Sequence, residues 1–99
     1  MSADNLVHTA IENKQLIEFN YDGLHRIAEP HVYGIKDGER EILVYQVAGQ
    51  SSSGNLPNWR RMKISKISGI IISDQHFAGP RPYPSGKHSS FDKILAIVR

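Results

Sequence analysis

Between Leu16 and Ile72 apolar and polar residues mostly alternate with a period of two, the spacing of strands that bury one face. The stretch before it keeps a different period. There Leu6, Val7, Ala10 and Ile11 recur at three- and four-residue intervals, with Asp4 or Ser2 placed to cap, which predicts a helix over 4–14. At about three turns it is too short to stand alone, so it is expected to pack on one end of the strands after it. Ile17, Phe19 and Tyr21 then alternate with Glu18, Asn20 and Asp22, and Asp22-Gly23 signals a hairpin. The next strand sets Ile27, Glu29, His31, Tyr33 and Ile35 against Arg26, Ala28, Pro30, Val32 and Gly34. Pro30 lacks a ladder donor, which predicts a bend or an edge there, and Gly34 permits a second bend.

After a turn at Lys36-Asp37-Gly38-Glu39, the strand from Glu41 to Ala48 is apolar on both sides: Ile42, Val44 and Ala48 on one, Leu43, Tyr45 and Val47 on the other. Such a strand is central or covered twice. A serine-rich loop over 49–57 is expected to be mobile. It leads into Asn58 to Ile72, where Met62 and Ile64 face away from Trp59, Arg61 and Lys63, a 3₁₀-like turn occupies 65–69, and a fifth strand begins at Ile70. Prolines at 80, 82 and 84 hold 78–90 extended as a strap or tail. The five apolar residues Ile94 to Val98, within 91–99, are expected to return to the sheet or to pack on its end. Together these elements predict one mainly β domain over 1–99: a small five-stranded antiparallel barrel of the SH3-like or Sm-like kind over 16–77, with an N-terminal α-helix. Its expected core is Phe19, Ile27, Val44, Met62, Ile64, Ile70 and Ile72.

Composition narrows the function classes. The chain has no cysteine, so disulfides and thiolate zinc sites are excluded and a reducing cytoplasm is the expected setting. No secretory pattern opens it, and no apolar run approaches the ~20 residues of a membrane-spanning helix. The net charge of +2 is unevenly placed. Met1 to Glu41 carries 4 bases and 8 acids, whereas Ile42 to Arg99 carries 8 bases and 2 acids, which points to an anionic partner for the second half or to solvated basic strand faces.

The candidate chemistry sits in Asn58 to Lys66. Arg60, Arg61, Lys63 and Lys66 can neutralise phosphates, and Trp59 or Tyr45 can stack a base, although the spacing also suits Trp59 to a half-buried barrel position and Tyr45 to the core. Arg60 shares the apolar side of its strand and has to escape at the barrel's end. Arg26 and His31 on the neighbouring long strand complete the candidate site. Catalysis has no comparable signal. The histidines at 8, 25, 31, 76 and 88 show no metal-ligand spacing, the serines at 51–53 lie in a loop too loose to hold an oxyanion geometry, and no phosphate-cradling glycine motif occurs. No enzyme activity, metal or cofactor is expected.

The order Arg26-x-x-Glu29-Pro30, an aliphatic strand after a charged turn, and Arg60-x-x-Lys63-x-x-Lys66-Ile67-Ser68 together resemble the bacterial WYL domain over about Ile11 to Phe77. The triplet that names that family falls on Glu41-Ile42-Leu43 and matches only at its last position, lysines stand where the family has arginines, and the single short helix cannot supply a helix-turn-helix. The resemblance implies a short, divergent, stand-alone relative: a regulatory module that binds a ligand, nucleotide or nucleic acid. The other expectation is a protein-interaction adaptor without catalytic activity, docking through the strap or a strand edge.

Overall fold

The computed structural model describes residues 3–50, 57–81 and 91–99. The expectations for the serine-rich loop and for most of the strap fall largely on 51–56 and 82–90, outside the described residues. One helix, α1 (Ala3–Asn13), precedes six strands: β1 (Gln15–Tyr21), β2 (Leu24–Lys36), β3 (Glu39–Gly49), β4 (Asn58–Lys63), β5 (Ser68–His76) and β6 (Lys93–Ile97). A 3₁₀ turn, Ile64–Lys66, joins β4 to β5. The β1–β2 and β2–β3 connections are two-residue hairpins, with Asp22, Gly23, Asp37 and Gly38 all at positive φ, the primed turn that matches the twist of its strands.

All pairings are antiparallel, in the order β4-β3-β2-β1-β5. Five strands are expected, and the described residues form six. Barrel closure is not seen, because no pairing among the described residues joins β4 to β5. The sixth strand is the C-terminal apolar segment. β3 lies along one edge of β2 from Arg26 to Lys36, while the other edge is shared by β1, beside Leu24 to Ala28, and β6, beside Val32 to Ile35. Pro30, with no N–H to donate, stands where the first partner has ended and the second has not begun.

That proline also explains the main error in the strand pattern. Pro30 pairs with Val44 and Val32 with Leu43, so His31 is an extra residue opposite nothing, a bulge that reverses which face each later side chain takes. A second register shift lies between Ile27 and Ala28. As a result Ala28 is fully buried in the core and Ile27 only half-buried, the reverse of the simple alternation. β1 and β4 keep their phase, and β3 does so up to Gln46. Ile17, Phe19, Ile42, Val44 and Met62 point inward, Val7, Ala10 and Ile11 of α1 pack on them, Ile64 joins from the 3₁₀ turn, and Ile70 and Ile72 are half-buried against the same core.

Candidate functional site

β4 is an edge strand, and its alternation turns Arg60 and Met62 inward with Val44 and Ile42, while Trp59, Arg61 and Lys63 pair with Tyr45, Leu43 and Glu41 on the outer face. Trp59 meets the Tyr45 ring edge-on with centroids 5.2 Å apart and the His31 ring at 4.7 Å. Both cations of the trio have carboxylate neighbours. Lys63 Nζ lies 2.9 Å from Glu39 Oε2 with both side chains well exposed, and the hydrogen bond to Glu39 holds the ammonium above the usual lysine range. Arg61 Nε lies 3.6 Å from the nearly buried Glu41, and its guanidinium covers the Phe91 ring at 4.5 Å. Lys66, in the 3₁₀ turn, is exposed and forms no ion pair among the described residues.

The structure therefore brings Trp59, Tyr45, Arg61 and Lys63 together on one face and leaves Lys66 beyond its end. Arg60 is half-buried on the inner side. Arg26 and His31, expected to complete the site, do not reach this surface. Arg26 is opposite Phe19 in register, so it points inward; it is 4 % exposed and donates to Gln46 Oε1 and to the Tyr21 carbonyl, both at 3.3 Å. No carboxylate among the described residues pairs with it. His31 lies on the outer side, yet no part of it is exposed, because Trp59 covers its edge and Phe77 stacks on its face at 5.3 Å. Tyr45 is half-buried on the outer face rather than in the core.

The covering chain carries a residue that the sequence pattern did not single out. Glu29, Tyr45 and Trp59 form a row in register across β2, β3 and β4, and Arg81 lies over it. Arg81 Nε donates to Glu29 Oε1 at 2.6 Å and Nη2 to Oε2 at 2.9 Å, while the guanidinium covers the Tyr45 ring at 4.5 Å. These hydrogen bonds push Arg81 further above the ordinary arginine range. The Arg81 N–H donates to His31 Nε2 at 3.3 Å. An amide can only donate, so a neutral His31 carries its proton on Nδ1, which donates to the Glu29 carbonyl at 2.9 Å.

A cavity of about 300 Å³ opens between the start of α1, the β2–β3 turn and the 3₁₀ turn, lined by Asp4, Glu39, Arg40, Ile64 and Ser65. Its two carboxylates make it a poor receptor for phosphate, and Trp59 is not among its walls. Comparisons of the chain with family models, with curated proteins and with solved structures found no match.

Proposed function

We propose that the chain is a non-catalytic regulatory module of the cytoplasm, a divergent WYL-like domain on an SH3-like or Sm-like barrel plan, that binds a nucleotide or single-stranded nucleic acid on the outer face of β4. The barrel plan is supported by the strand order, with the outermost strands β4 and β5 joined by a 3₁₀ turn. The family reading is supported by the Arg26-x-x-Glu29-Pro30 and Lys63-x-x-Lys66 patterns.

One observation carries the ligand class: Trp59, Arg61 and Lys63 share the outward side of an edge strand, with exposed Lys66 beyond them. A ring for stacking and cations for phosphates are the two parts such ligands require. The Lys63–Glu39 pair does not oppose this. An exposed pair is screened by water and contributes little, so exchanging Glu39 for a phosphate costs little. Arg61 is less free to exchange, since Glu41 is nearly buried and would lose the guanidinium beside it. Lys63 and Lys66 are thus the principal phosphate contacts.

The test is titration of the parent, Lys63→Ala, Lys66→Ala and Trp59→Ala with a labelled oligonucleotide across salt concentrations. Each lysine variant is expected to shallow the log-log salt slope by about 0.7, and Trp59→Ala to weaken binding by about 1–3 kcal/mol at nearly constant slope. Unchanged affinity in all three variants contradicts the reading.

The adaptor reading draws on a different observation. Among the described residues β6 pairs only with β2, which leaves its other edge without a strand partner there, and it exposes Ile94 and Leu95, while Ile71 on edge strand β5 is 59 % exposed. Edge pairing would be nearly indifferent to salt, which separates it from phosphate binding.

A further inference from the structure

Glu29 is a carboxylate with a 5 % exposed side chain, and both of its oxygens are taken by the fork of one arginine that is itself 46 % exposed. Withdrawing a charge this far from water is costly unless a planar donor pair meets it, and a guanidinium supplies that pair where an ammonium does not. Tyr45 adds a ring face under the cation. His31 adds an acceptor for the backbone N–H of the same residue, with its tautomer held by the Glu29 carbonyl and its ring held between Trp59 and Phe77. Carboxylate, ring and imidazole together read a guanidinium side chain and a main-chain amide at once. They read nothing else of the occupant.

We infer that Glu29, His31 and Tyr45 form a recognition site for an arginine residue within an extended protein segment, which Arg81 fills in cis and an arginine of a protein partner fills in trans. Every contact that Arg81 makes here is available to any arginine whose backbone is extended, and the exposed flank of Arg81 is the direction from which a competitor enters. Pro82 follows Arg81 in the sequence, and a residue before proline is steered away from the helical region toward such a conformation. A tethered occupant at an effective concentration in the millimolar range keeps the site closed to weak competitors and admits strong ones. The inference does not rest on the anionic-ligand reading, because this site takes a cation.

The experiment uses the full chain with Arg81→Ala, probed with the acetylated and amidated tripeptide Gly-Pro-Arg and with its Gly-Pro-Lys counterpart. Binding is followed by the fluorescence of Trp59, the one tryptophan, and by calorimetry. Arg81→Ala is expected to bind the arginine peptide at least tenfold more tightly than the parent does and at least tenfold more tightly than it binds the lysine peptide. Adding Glu29→Gln is expected to remove this preference. If the alanine variant loses its fold by circular dichroism, Arg81→Lys, which keeps a cation beside Glu29, takes its place with the same expected order. Absence of arginine-peptide binding in the folded variant, equal binding of the lysine peptide, or indifference to Glu29→Gln would each show that the Arg81 contact is only an internal latch.

Discussion

Asp4, Tyr33 and Arg40 tie the helix to the sheet through one carboxylate oxygen. Tyr33 Oη donates to Asp4 Oδ2, and Arg40 Nη1 lies 3.0 Å from both. Burial alone would raise the Asp4 pKa, but the hydrogen bonds from Tyr33 and Arg40 outweigh it and hold the carboxyl below its ordinary value of 3.8. Burial, and then the bond to Asp4, raise the Tyr33 hydroxyl above its ordinary 10.0. The two linkages have opposite signs. Asp4 contributes stability that is complete above its unfolded value and is lost as pH falls through the lower folded one, whereas the Tyr33 contribution is complete below pH 10 and is lost as pH rises through the higher folded value. Asp4→Asn is therefore expected to lower stability by about 1 kcal/mol near neutrality and to flatten both the acid and the alkaline limbs of a plot of Tm against pH. Parallel limbs in parent and variant would show that the contact contributes nothing.

At the scale of elements, Phe91 and β6 meet β2 at Gly34. A Cβ there would stand 2.4 Å from the Lys93 carbonyl oxygen and 2.7 Å from a Phe91 ring carbon, so the backbone of β6 cannot pair at its present distance over any other residue. Gly34→Ala is expected to cost about 1–3 kcal/mol, with faster amide exchange confined first to Lys93–Ile97. Loss of protection spread evenly over β1 to β5 would contradict this. The same region explains what the sequence made legible. β1 and β4 keep their alternation, so their inward and outward faces could be read directly, and with them the outward Trp59, Arg61 and Lys63, whereas β3 is apolar on both sides and carries an extra residue, Val47, opposite β2. β2 could not be read that way, because the bulge at His31 reverses the phase and Pro30 was its only sign. Simple alternation therefore puts Ile27 in the core and Arg26 on the opposite face, whereas Arg26 is buried and Ile27 only half-buried. Arg81 was illegible for a different reason: Glu29 lies 52 residues away, and no periodicity links a proline-rich segment to a strand.

Over the whole molecule, the acidic first half and the basic second half fold onto one another. Glu29, Glu39 and Glu41 of β2 and β3 receive Arg81, Lys63 and Arg61 from the later chain. Part of the charge asymmetry along the sequence is thereby met by contacts across the sheet, and with a net charge of only +2 the molecule has little long-range field. Anion binding has then to come from local geometry at β4 and the 3₁₀ turn. The most direct measurement is an amide chemical-shift titration of isotopically labelled protein with a short single-stranded oligonucleotide, at about 50 and about 200 mM salt. The largest shifts are expected from Trp59 to Lys66 and at Tyr45, collapsing at the higher salt. Shifts centred on Ile71 or Ile94 and Leu95, or none at the lower salt, would contradict a phosphate-bearing ligand on this face.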